Sequence, residues 1–243
     1  MRARLLLAIL FALAACRAGE RPPSTLILWA WERPEDLRFA PPEVEIALQT
    51  GFVDISGASF TAHGRRYPLL VSHPPATALV HVQIDPAGPV QWTPALRQRV
   101  AAAVLHYATA IPARRVQLDF EVRTSERHIL LDLLADLRRS LPRGTVLSMT
   151  ALASWCDGEA WLDAAPVDEI VPMLFRMRGG EALKNRLAAG GDFRDPRCRA
   201  ALGVASDAAI ARAPPGRRVY LFSPASWTAA DYARVRTEVE GWR

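Results

Sequence analysis

Eight apolar runs of strand length, most of them separated by stretches with helical caps or helical spacing, constrain this chain more than any other feature. They cover 26–31, 52–55, 78–85, 116–121, 145–152, 169–175, 200–205 and 218–222. A parallel strand pair needs a crossover, and a helix supplies it, so this alternation points to a parallel sheet. Eight such units in ~220 residues is the size and rhythm of a (β/α)8 TIM barrel with lean connections. A doubly wound open sheet is the alternative, disfavoured because no Gly-rich phosphate turn follows the first strand.

The connections carry their own signals. Pro41-Pro42 opens a short predicted helix over 41–49, closed by Gly51. Residues 59–71 have β character broken at His63-Gly64, which predicts a β-hairpin inserted after strand two. Thr93-Pro94 caps a helix to about 110, and Ser125 caps one to 140 with Ile129, Leu130, Leu133, Leu134 and Leu137 on one stripe. Short helices are expected over 159–165 and 181–189 and after Ser206. Thr228 and Asp231 form a capping box that starts the last helix, which ends near Trp242. No break in composition suggests a second domain, so 25–243 reads as one domain.

The stretch Val116-Gln117-Leu118-Asp119-Phe120-Glu121 is an apolar strand that ends in two carboxylates one residue apart. Strand side chains alternate, so Asp119 and Glu121 share one face and Leu118 and Phe120 the other. Two acids on one face are costly to hold together unless something uses them. Barrel strands also converge at their C-terminal ends on one mouth, where chemistry is built. That predicts a rim of Trp31, Glu32 and Arg33 from strand one, Asp54 from two, Asp85 from three, Asp119 and Glu121 from four, Trp155 from five, Arg176 from six, Asp207 from seven and Trp227 beyond eight. Trp rings stack on apolar sugar faces, while carboxylates and Arg bond hydroxyls, so this composition suits a carbohydrate ligand. The competing reading is structural: Asp119 held by an Arg in a buried ion pair. Trp29 and Trp161 read as core, and Asp168 and Glu169 lie at the other end of strand six as structural residues.

Other chemistries lack their residues. The histidines show no HxH or HExxH spacing, so no metal site is expected. There is no GxSxG, and neither Cys156 nor Cys198 has a base beside it in sequence. No cofactor is implied. The formal charge of +5 comes from scattered Arg, with Lys184 the one lysine, and no basic stripe with interleaved aromatics predicts nucleic-acid binding.

The N-terminus reads as a targeting segment. Arg2 and Arg4 precede an apolar run over 5–13, too short for the ~20 residues of a membrane span. Leu13-Ala14-Ala15-Cys16 resembles the lipobox of bacterial lipoproteins. The resemblance implies cleavage of a 1–15 signal peptide, lipidation of Cys16 and a 16–24 tether to a membrane, hence an exported, periplasm-facing envelope protein. An ordinary secretory signal is the alternative. Loss of Arg2 and Arg4 takes the charge from +5 to +3. Cys156 and Cys198 then remain as an even pair that can form a disulfide in an exported protein. The barrel places them at opposite strand ends, so the bond needs the 190–197 loop to climb back. Nothing in the residues addresses oligomeric state.

Asp119-Phe120-Glu121 at the end of strand four is similar to the Asp-x-Glu of the chitinase and endoglucosaminidase glycoside hydrolase superfamily. The resemblance implies Glu121 as general acid and Asp119 as its partner, with the substrate's acetamido group as nucleophile. Two acids on one strand suit this, because they cannot flank a glycosidic bond as a two-carboxylate mechanism requires, but they can share a proton. Strand six departs from that superfamily: its Met-x-Tyr-Asp is here Met173-Leu174-Phe175-Arg176. Trp31-Glu32-Arg33, 117–121, 150–156 and 167–177 resemble a bacterial family known only as a domain of unknown function. That family is exported, often lipid-anchored and thought to be glycosidase-like barrels. Its strand-four pair is more often Asp-x-Asp, so Glu121 is a variant.

Overall fold

The computed structural model describes residues 25–175, 177, 180–208 and 212–242. The expected signal peptide, tether and Cys16, and also Arg176, lie outside the described residues.

Eight parallel strands close into a barrel. In order around it they are β1 (Thr25–Ala30), β3 (Glu45–Ser56), β6 (Thr77–Ile84), β7 (Arg115–Asp119), β8 (Val146–Leu152), β9 (Glu169–Met173), β10 (Ala201–Ala205) and β11 (Arg218–Phe222), which pairs back to β1. Helices α1 (Pro94–Ala108), α2 (Arg127–Ser140), α3 (Glu181–Ala188) and α4 (Ala229–Glu240) follow β6, β7, β9 and β11. The caps are local. The Thr93 side chain accepts from Leu96 N, and the Thr228 side chain accepts from Asp231 N. Between β8 and β9 the connection is two 3-10 turns, Trp155–Asp157 and Ala160–Ala164, in place of the expected 159–165 helix.

The second barrel strand departs most from expectation. Residues 41–49 do not form the predicted helix: β3 begins at Glu45 and runs for 12 residues. Ile46, Ala47 and Leu48 are buried on both faces, as in a central parallel strand. Gly51 is no helix cap. A β-carbon there would sit 2.3 Å from the β-carbon of Tyr107 on α1, so glycine is required by close approach. The register against β6 shifts between Gln49 and Gly51, leaving Thr50 as an extra residue whose hydroxyl bonds the Leu79 and Tyr107 carbonyls. The expected self-contained hairpin over 59–71 takes another form. β4 (Ser59–Gly64) folds back antiparallel on β3 itself, around Gly57 at φ +54°. Leu69–Leu70 (β5) pairs with Glu35–Asp36 (β2) in a small separate sheet.

Alternation along the strands sorts side chains into two regions. Val116, Leu118 and Phe120 point outward into the core between strands and helices. Each is at most 3% exposed, and burial of such side chains contributes about 1.5–3 kcal/mol apiece. The interior is layered. At its N-terminal end Glu169 accepts from the Tyr220 hydroxyl and the Arg218 guanidinium, with Arg115 3.4 Å away and bonded in turn to Glu45. Above lies an apolar layer with Trp29, Leu79 and Val171, where the Trp29 indole N–H donates to Gln117 and Gln117 donates to Ser148. Trp29, read as core, is 1% exposed. The next layer up is the mouth.

Cys156 and Cys198 are disulfide-bonded, with Cα atoms 5.9 Å apart. The 190–197 segment makes the climb: Phe193 is fully buried, and Asp195 N donates to the Cys156 carbonyl.

Candidate functional site

The mouth holds a cavity of about 1150 Å³. Trp31, Phe52, Phe175 and Phe222 give it aromatic walls, and Asp119, Glu121 and His81 line it between β6 and β7. Phe175 and Phe222 stack at 5.0 Å, and Trp31 stands edge-on to Phe222 at 5.7 Å.

Asp119, the last residue of β7, is 4% exposed with both carboxylate oxygens in use. Oδ2 lies 2.6 Å from His81 Nδ1, and Oδ1 accepts from the Thr150 hydroxyl at 2.6 Å. Its partner is thus a histidine from the neighbouring strand, not the arginine of the structural reading. His81 is the register partner of Asp119 across β6 and β7, so equal strand depth alone brings them side by side. Burial of the ring works against its charged form. The Asp119 carboxylate and the nearby Glu121 charge outweigh that and hold His81 above its ordinary value. Phe52 stacks on the ring at 5.1 Å and Trp31 meets it edge-on at 5.9 Å, so its plane is fixed from both sides. Glu121 lies two residues beyond Asp119 on the same face, exposed at the cavity wall.

The turn after β1 carries Trp31, Glu32 and Arg33 into the cavity wall. Arg65, from the segment after β4, donates to the carbonyls of Ala30, Trp31 and Arg33 and fixes that turn. Glu32 accepts from Arg66 at 2.7 Å. The Arg33 guanidinium is occupied by Glu35 and by the Ser223 and Pro224 carbonyls, so it clasps the ends of β1 and β11 together. On the β8 side, Asp157 pairs with Arg186 and Glu159 with Arg127.

Five residues predicted for the rim do not line the cavity. Trp155 is carried outward by the 3-10 turn after β8 and packs edge-on against Trp161, 3% exposed. Trp227 is buried where α4 begins, its indole N–H donating to the Trp29 carbonyl. Asp85 caps the turn after β6, accepting from Ala87 N and the Ser56 hydroxyl. Asp54 sits where β3 pairs with β4, facing Thr61, and Asp207 is exposed beyond β10. Trp155, Asp85, Asp207 and Trp227 all lie beyond the ends of their strands, in segments that leave the barrel, whereas Asp54 stays within β3 where that strand outruns its pairing with β1. His81, Thr150, Phe52 and Phe222 were not anticipated at the site. The available signal was alternation: Thr77, Leu79 and His81 share the inward face of β6, at the depths of Arg115, Gln117 and Asp119 on β7.

Among the described residues no group of three or more His, Cys, Asp or Glu is arranged to hold a metal ion, and no helix is long and apolar enough to cross a membrane. No family model, curated protein or solved structure matches the chain.

Proposed function

We propose that this barrel hydrolyses a glycosidic bond in a polysaccharide or glycan of the cell envelope, with Glu121 as general acid. The observation that carries the reading is a carboxylate, Glu121, exposed in an aromatic-walled cavity at the catalytic end of a (β/α)8 barrel, beside the fixed Asp119–His81 pair. A sugar ring stacks on Trp31 and Phe52, and Glu121 protonates the leaving oxygen. Asp119 has both oxygens engaged by His81 and Thr150; its role is to orient His81 and favour its charged form. Export and lipid anchoring through Cys16 belong to the same proposal, as does membership of the glycosidase-like family of unknown function, and both rest on the sequence resemblances. The test is product release from a glycan library by the full chain and its Glu121→Gln variant. A loss of about 10²–10⁴-fold in turnover is expected; equal turnover overturns the assignment.

A second reading has its own observation. Phe175 stacks on Phe222, and the hydrolase superfamily whose Asp-x-Glu this chain resembles carries polar groups on strand six, so the strand-six wall here is apolar. A non-catalytic glycan-binding protein needs just such a wall. Retention on a glycan array without product, lost in Trp31→Ala and kept in Glu121→Gln, decides for binding.

A further inference from the structure

The cavity at the mouth is divided into two halves. Its polar side chains come from one arc, which runs from β1 through β3, β6 and β7 to the turn after β8; Gln49, His81 and Glu159 mark its course. The other arc runs from β9 through α3 to β11 and contributes Met173, Phe175, Met177, Leu183 and Phe222. Among the described residues of that arc, no polar side chain lines the cavity. Spacing by two carries Met173, Phe175 and Met177 to the cavity, while Leu174 turns outward and is fully buried in the core.

The apolar half does not match a sugar ring. A sugar lies flat on an open aromatic face and has its hydroxyls bonded at the rim. The Phe175 and Phe222 rings lie 5.0 Å apart at 8°, so each closes a face of the other. The surface beside them is thioether and aliphatic, from Met173, Met177 and Leu183. Such side chains adapt to flexible apolar partners, and methionine does so best. Apolar surface gathered on one side of an open cavity marks a ligand site, and a hydrocarbon chain gains most by covering it. The cavity of about 1150 Å³ exceeds the ~300–1,000 Å³ usual for a drug-sized ligand, so one molecule can fill both halves. We propose that the ligand is a glycan carrying a hydrocarbon chain, its sugar headgroup against the polar arc and its chain along Met173, Phe175, Met177 and Leu183.

The assignment rests on the glycan reading of the mouth and narrows it to acylated or alkylated glycans. The polar arc decides what the chain is attached to. Among the described lining residues carboxylates outnumber cations, and the Arg33 guanidinium is already taken by Glu35 and two carbonyls. A free fatty acid would bring its carboxylate against carboxylates, at a cost. A hydroxyl-bearing head meets acceptors instead. Glu159 is held at one oxygen by Arg127 and the Trp161 indole, and Asp157 by Arg186. A carboxylate has about four acceptor sites, so acids steadied in this way still accept hydroxyl donors.

The experiment measures binding of methyl, hexyl and octyl β-glycosides of glucose and N-acetylglucosamine to the full chain, below the concentrations at which they form micelles. The chain without a head is 1-octanol. Binding should tighten up to about fourfold per added methylene, hence by about 4- to 15-fold from hexyl to octyl. With the methionine methyls ¹³C-labelled, octyl glycoside should shift the Met173 and Met177 signals and move Met149, fully buried in the core outside the barrel, far less. Met177→Gln should cut the hexyl-to-octyl gain to about twofold. Equal affinity for methyl and octyl glycosides overturns the proposal and leaves hydrolysis of a chain-free glycan standing. So does chain-length dependence without a shift at Met173 and Met177. Binding of 1-octanol as tight as that of every octyl glycoside overturns the glycan head, and the hydrolytic reading falls with it.

Discussion

At the N-terminal end of the barrel interior, Glu169 sits fully buried among Arg115, Arg218 and the Tyr220 hydroxyl. At the C-terminal end, Asp119 sits nearly as buried between His81 and Thr150. Both are strand acids facing inward, and both are satisfied. The difference lies in the partners. The bottom acid is matched by permanent cations and closed over. The mouth acid is matched by a group that can lose its proton, next to a cavity and a second carboxylate. A buried acid therefore says little about function by itself; the titratability of its partner and its access to a cavity carry the information.

The sharpest way to break the comparison is to remove each acid. Glu169→Gln leaves Arg115 and Arg218 short of a buried counter-charge and should cost up to about 5 kcal/mol, read as a shift in urea unfolding. Tyr220, whose hydroxyl is held well above its ordinary value by burial and by Glu169, loses its charged acceptor in the same variant.

The disulfide ties the segment after β8 to the segment before β10, 42 residues on. The Cys156→Ser, Cys198→Ser double variant should lose about 4 kcal/mol from the freed unfolded chain. It should also loosen the Asp157–Glu159 wall, measured by hydrogen exchange.

Asp119→Asn should cost less, about 1–3 kcal/mol, and its cost should depend on pH. His81 has a raised value when folded, so the pair's contribution is fully present below the unfolded imidazole value of ~6.5 and fades as pH rises through the folded one. The difference between wild type and variant should thus be larger near about pH 6 than near about pH 9. A difference that grows with pH would remove His81 from the account. Smallest of all, Arg38→Ala breaks the exposed pair with Asp36 and should leave the unfolding midpoint where it is.

Much of the scaffold was legible in the sequence. The eight strands, the Thr93 and Thr228 caps and the outward run of Val116, Leu118 and Phe120 follow from local pattern. The 41–49 helix was misread because a run buried on both faces has no period, and because Gly51 looks like a cap until Tyr107 is packed against it. At the site, Trp31, Glu32, Arg33, Asp119 and Glu121 were found by strand position. Trp155 and Trp227 were lost because the chain turns after a strand ends, and strand pattern does not encode the direction of that turn.

The sequence by itself determined the fold class and the shared face of Asp119 and Glu121, since both follow from alternation and rhythm within single strands. Only the tertiary structure decided that Asp119 meets His81, 38 residues away, and that Cys156 meets Cys198. Those pairings depend on the register between strands and the path of loops, which closure of the whole barrel sets and no local stretch contains.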